Sequence, residues 1–153
     1  MNHKAWGSQA DQEAFRAQPE FSQFANETLK WATGPPSVVR APLRPHPPPV
    51  DTAPVTEWCT VTLSEGTKQE DFEKNFKEVE KRFVWEGYHW HSSGWVVGNP
   101  RSYLLLIGWD SVKAHADWRE SEIGKEAVKY LSIGVDDIHM VHVTYGGKLP
   151  EKA

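Results

Sequence analysis

A chain of 153 residues with 39% hydrophobic side chains and eight tryptophans can enclose one domain, or one domain and part of another. Its formal net charge of -4 leaves no broad basic surface, which argues against nucleic acid as a partner. A single cysteine, Cys59, excludes an intramolecular disulfide; with no leader-like apolar start and no membrane-length apolar window, a soluble cytoplasmic protein is the expectation.

Residues 1–45 read as a partial, degenerate copy of a later stretch. Trp6-Gly7-Ser8 stands where Trp109-Asp110-Ser111 stands, 103 positions further on, and the same offset pairs Phe15-Arg16 with Trp118-Arg119. Two amphipathic helices can match by chance, but tryptophan is rare and both pairs keep one register. The expected elements are a strand stub at 3–7, a helix over 8–31, a turn at Gly34-Pro35-Pro36 and a short strand at 37–41. Between Ala41 and Pro54 lie six prolines, and 46–54 is expected to be an extended linker. Its PxxP spacing suits an SH3-like partner; a stiff spacer is the simpler reading.

Residues 55–147 form a complete unit, followed by a tail at 148–153. Val55 to Leu63 alternates and is rich in β-branched and aromatic residues, so it is strand one. Thr67-x-x-Glu70 has the form of a capping box, and Phe72, Phe76, Val79 and Phe83 make one apolar helix face ended by Gly87. Tyr88 to Val97 is strand two, Gly98-Asn99-Pro100 a turn, and Tyr103 to Trp109 strand three. A second helix runs from Ser111 to about Leu131, interrupted near Gly124, and Asp137 to Tyr145 is strand four. The order β-α-β-β-α-β is an α+β, ferredoxin-like unit: four antiparallel strands with both helices on one face.

The other sheet face is also apolar, with Trp90, Leu104 and Leu106 on it. Something must cover it, and a homodimer with its sheets face to face is the expectation.

GWDSVKAHADWRESE, preceded by SGWVVGNPRSYLLLI, resembles the dimeric α/β-barrel superfamily, in particular the fungal proteins similar to antibiotic-biosynthesis monooxygenases and to stress-responsive barrels. The linker RPHPPPVDTAPVTEW also looks like the join between tandem copies in those proteins. The resemblance implies the fold, a pocket between the sheet and its own helices, and a homodimer. Relatives of this kind include cofactor-free monooxygenases of aromatic polyketides, cyclases, isomerases, hydroxynitrile lyases and haem enzymes, so it does not name a reaction. Plant polyketide cyclases of the superfamily use a tyrosine and a histidine on the second helix; the matching positions here are Trp118 and one near Gly124, and their strand-one histidine falls at Glu57, so that mechanism does not carry over.

Strand parity and helix phase give a pocket list of Glu57, Phe76, Tyr103, Leu105, Trp109, His115, Trp118 and Met140, with His89, His91 and His142 beside them as acid/base candidates. A bulge at Ser92-Ser93-Gly94 would flip the outer half of strand two. Imidazoles exchange protons near neutral pH, and aromatic walls suit a flat apolar ligand. The function this supports is a small cofactor-independent cyclase, isomerase, dehydratase or decarboxylase acting on an aromatic or polyketide-like molecule, in fungal secondary metabolism. A non-catalytic stress-responsive barrel and a cofactor-free monooxygenase are the alternatives. A buried histidine is more often a satisfied core residue than a catalyst. A metal held by His89, His91, His142 and Glu57 would have neither a fixed carboxylate nor a cysteine pair, and no metal or cofactor is expected.

Overall fold

The computed structural model describes residues 6–30, 38–46, 48–50 and 52–144. The chain divides into two units, Met1–Arg40 and Ala41–Ala153. Among the described residues no helix is long and apolar enough to cross a membrane.

The first unit holds α1 (Gln9–Arg16) and α2 (Pro19–Leu29), neither with a buried residue. The single helix expected over 8–31 is therefore two. Pro19 is the cause: it forces Gln18 into an extended conformation (φ -75°, ψ 141°) and then serves as the first residue of α2. Ser8 caps α1 by accepting the Asp11 amide, and Phe15 links Trp6 to Phe21 through ring contacts at 5.1 and 5.5 Å. Residues 38–41 are in no strand, so the expected strand-helix-strand is corrected there; 3–5, 31–37 and the tail from 145 onward lie outside the described residues.

The second unit is an α+β sandwich of one sheet and one helix layer. Its strands are β1 (Val55–Leu63), β2 (Tyr88–Trp95), β3 (Ser102–Trp109) and β4 (Val135–Val143), all antiparallel neighbours in the order β2-β3-β1-β4. The helices are α3 (Gln69–Glu80), α4 (Val112–Glu120) and α5 (Glu122–Leu131). The expected capping box does not form: α3 starts at Gln69 with Lys68 as an uncapped N-cap. The Thr67 side chain lies against Gly134 instead, where an added Cβ would come within 2.8 Å of it. The second long helix breaks at Ser121, whose hydroxyl accepts the Gly124 amide and so begins α5.

The helix-facing side of the sheet carries Glu57, Cys59 and Val61 of β1, paired with Ile107, Leu105 and Tyr103 of β3 and with His142, Met140 and Ile138 of β4. Phe72, Phe76, Val79, Phe83, Trp118 and Ala127 close over them to make the main core.

The opposite face is where the expectation changes. Leu43 and Ala53, with Ala41 and Val50 beside them, pack on Trp90, Leu104 and Leu106 and cover that half of the sheet, and Leu106 is fully buried within the single chain. Arg44 bridges to Ser93 through two backbone hydrogen bonds (2.9 and 3.0 Å), and the Ser92 hydroxyl donates to the Pro45 carbonyl at 2.6 Å. Gly94 permits this approach, since a Cβ there would stand 2.6 Å from the Pro42 oxygen. The proline-rich stretch is thus a cover bound to the edge strand, not a free spacer. The rest of the face is mixed: Val141 and Val143 share it with exposed His139 and Asp137.

Candidate functional site

β1 and β4 place Glu57 opposite His142, and α4 brings His115 down between them. Ser111 starts α4 by accepting the Ala114 amide, which sets the helix phase so that His115 and Trp118, one turn apart, face the sheet. His115 Nδ1 lies 2.8 Å from His142 Nε2, and its Nε2 lies 3.4 Å from Glu57 Oε2. The Trp109 indole N–H donates to the same Glu57 oxygen at 3.0 Å, and its ring stacks on His115 at 5.0 Å. Glu57 and His115 are buried; His142 is half-buried and forms the outer end of the chain.

Burial decides the charge states. It pushes the Glu57 carboxyl up to about 7, against the lowering effects of the Trp109 hydrogen bond and of Arg119. It presses His115 down to about 4, helped by His142 and Arg119, and lowers His142 through the same desolvation and Arg119. Both imidazoles are therefore neutral at pH 7. One proton arrangement fits these distances: His115 carries its proton on Nε2, facing the Glu57 oxygen at 3.4 Å, His115 Nδ1 accepts from His142 Nε2–H, and His142 Nδ1 keeps its lone pair.

One donor atom from each of Glu57, His115 and His142 falls within 4.8 Å of the others, the residue types of a two-histidine, one-carboxylate metal site. In this structure His115 is hydrogen-bonded to His142, faces Glu57 at 3.4 Å, and the Glu57 oxygen is taken up by the Trp109 indole N–H.

The expected convergence of four histidines is corrected. Ladder register shifts between Tyr88 and Trp90, so the bulge sits at His89 and not at Ser92-Ser93-Gly94. His89 leaves the helix face and pairs with Asp110 at 2.6 Å. Tyr88 takes its place, stacked on Phe83 at 5.4 Å and edge-on to Trp109. His91 does face the helices, but binds Tyr88 and Glu80 and not the Glu57 group. The metal set of His89, His91, His142 and Glu57 is consequently not assembled.

Tyr103 lies apart from the histidines: its hydroxyl meets Ser93 at 2.7 Å, and its ring packs on Phe72, Phe76 and Trp95. Burial pushes its pKa up to about 12, so it stays a phenol. Trp118 fills core and donates to the Arg82 carbonyl at 3.1 Å, while Leu105 is buried and Met140 packs on the same core. Cys59, buried and pushed up to about 12, is a thiol and not a nucleophile. Open depressions occur on the surface beside Glu122, Ile123, Glu126 and Lys129, and beside Val84, Trp85 and Glu86.

No family model and no curated protein matches this sequence. Solved structures do. A cofactor-independent oxygenase, SnoaB from Streptomyces nogalater, superposes with a TM-score of 0.54 at 18% identity, over 63% of this chain and 97% of its own. An antibiotic biosynthesis monooxygenase, so assigned provisionally, from Bordetella bronchiseptica gives 0.54 at 20% identity, over 60% and 97%. A similar protein from Caulobacter crescentus gives 0.54 at 14%, over 61% and 90%.

This chain has the fold of the antibiotic-biosynthesis-monooxygenase proteins.

That fold accounts for about three fifths of the chain and almost all of each neighbour. At such identities the likeness speaks to architecture and leaves the chemistry to the residues.

Proposed function

We propose that this protein is a small-molecule enzyme of the monooxygenase-type barrel fold that moves protons on an aromatic or polyketide-like substrate, with no bound cofactor. The observation that carries this reading is the buried chain Glu57–His115–His142, open to solvent only at its His142 end. His142 Nδ1 takes a proton from an acidic C–H or phenol. The proton on His142 Nε2 passes to His115 Nδ1, and that on His115 Nε2 passes to Glu57. The relay ends with neutral imidazoles and a neutral buried carboxyl, so no charge is stranded in the core. A carboxyl titrating near 7 holds and returns a proton with little bias under neutral conditions. Cyclisation, isomerisation, dehydration and decarboxylation all need such a shuttle. Fungal secondary metabolism is the proposed setting, and a neighbouring polyketide synthase gene would support it.

The test is deuterium uptake from D2O at the acidic carbon of anthrone and of simple 1,3-diketones, followed by proton NMR. Wild-type protein should exchange, and Glu57→Gln and His142→Ala should each slow exchange by about 10²-fold or more. Wild-type rates in both variants would remove the relay. The oxygenase reading draws on the SnoaB likeness and predicts oxygen consumption with anthrone in an electrode. The non-catalytic reading, a stress-responsive barrel, draws on the fact that all three side chains have partners within the group. A homodimer accompanies the proposal, supported by partly exposed Val141 and Val143 on the second face. Sedimentation as a monomer at micromolar concentration would dismiss it.

A further inference from the structure

A second chain of titratable groups stands apart from the Glu57 relay. Glu80, the last residue of α3, places Oε1 3.1 Å from His91 Nε2, and His91 Nδ1 lies 2.9 Å from the Tyr88 hydroxyl. Tyr88 and His91 are three apart in sequence, and in a regular strand they would point to opposite faces. The bulge at His89 puts them on one face, and the His89–Asp110 pair and the Asp110 amide bond to the Gly87 carbonyl fasten the bulge in place.

A carboxylate only accepts, so Glu80 fixes the proton of His91 on Nε2 and leaves Nδ1 as an acceptor for the Tyr88 O–H. Phe83 stacks on Tyr88 at 5.4 Å with rings 6° from parallel and lies 5.0 Å from the imidazole, so both rings are held. The order carboxylate, imidazole, hydroxyl is that of an activated nucleophile, with a phenol as the hydroxyl. The group is reachable: the His91 side chain is 21% exposed and that of Glu80 39%. Tyr88 N also bonds the Trp85 carbonyl, which ties it to the loop whose Val84, Trp85 and Glu86 side chains line an open depression.

We infer that Tyr88 is a second reactive site, a phenol that His91 deprotonates as it attacks an activated acyl donor such as an acyl-imidazole or an aryl ester. The Tyr88 oxygen forms a bond to the acyl carbon, and the bond from that carbon to its leaving group breaks, the pair going to the leaving group. The phenol proton goes to His91 Nδ1 and then to the departing group or to water. Desolvation holds the Tyr88 pKa above its ordinary value of 10.0, so little free phenolate exists and the attack requires the neighbouring base. Tyr88 touches the acyl donor, while His91 and Glu80 act through it.

The test needs no natural substrate. The full chain is treated with N-acetylimidazole, and tyrosine acetylation is timed by peptide mass spectrometry, with partly buried Tyr130 as the internal standard. Tyr88 should be acetylated about 10-fold or more faster than Tyr130. His91→Gln should abolish that advantage, and Glu80→Gln, at an exposed helix end, should reduce it several-fold, both with Tyr130 unchanged. Tyr88 reacting no faster than Tyr130, or a His91→Gln advantage equal to that of wild type, would overturn the inference. Glu57→Gln should leave Tyr88 labelling untouched, so this result and the exchange assay of the first site stand or fall separately.

Discussion

At Glu57 and His115, two opposite penalties share one buried spot. A carboxyl raised from 4.5 to about 7 binds its proton more tightly in the folded state, so its contribution to stability is present below pH 4.5 and lost as pH rises to 7. The size is about 3 kcal/mol. His115, lowered from 6.5 to about 4, has the reverse sign: its contribution is full above pH 6.5 and lost as pH falls through 4. Between pH 4.5 and 6.5 the two slopes oppose, and wild-type stability from this pair should be nearly level. Glu57→Gln removes one of them. Urea unfolding of that variant at pH 4, 5, 6 and 7 should show stability climbing with pH, and a profile parallel to that of wild type would contradict the assigned shifts. A separate residue-scale test concerns Thr56, fully buried with an unpartnered hydroxyl among the described residues. Thr56→Val keeps the shape and discards the unmet polar atom, so it should raise the urea midpoint, by about 1 kcal/mol in stability.

At the scale of the element, the joints are stricter than the elements they join. α4 and α5 meet so closely that a Cβ on Gly124 would lie 1.9 Å from the Trp118 carbonyl oxygen. Gly124→Ala should therefore force the two helices apart and cost about 3 kcal/mol or more, read as a fall in the thermal midpoint with loss of near-ultraviolet tryptophan ellipticity. The four strands, and the faces of β1, β3 and β4, were legible in the sequence because period-2 alternation is a long-range average; β1 matches residue for residue, and Glu57, Trp109 and His142 fall on the expected side. His89 was misplaced because a bulge adds one residue without changing composition, and nothing in YHWHSSGW marks where it sits. Tyr88 and Glu80 were missed for the same reason. Glu80 reads as one more solvent charge on α3 until the bulge brings His91 beside it. Pro19, by contrast, was a visible break signal that the aligned repeat outweighed.

For the molecule as a whole, a proline-rich composition does not by itself make a segment a spacer. Residues 41–46, 48–50 and 52–53 form no helix or strand, yet Leu43 and Ala53 carry burial like that of core residues. Leu43→Ala should lower stability by about 2 kcal/mol, measured by urea denaturation, and should raise binding of a hydrophobic dye as Trp90 and Leu104 open to water. An unchanged midpoint would return this segment to the status of a spacer. The cover also reduces the pressure to dimerise that two apolar faces would create, leaving the Val141–Val143 portion to decide the oligomeric state.

The Arg44–Ser93 bridge redraws where the sheet domain can be cut. Trimming at the first residue of β1 would look harmless on paper, because everything upstream of Val55 lacks helix and strand back to Leu29 among the described residues. Such a fragment would begin with a naked sheet face and an unpaired edge at Ser93, both invitations to aggregate. The shortest version that retains its own lining starts at Ala41, and recombinant pieces, tandem fusions or transplanted domains should carry those fourteen upstream positions with them.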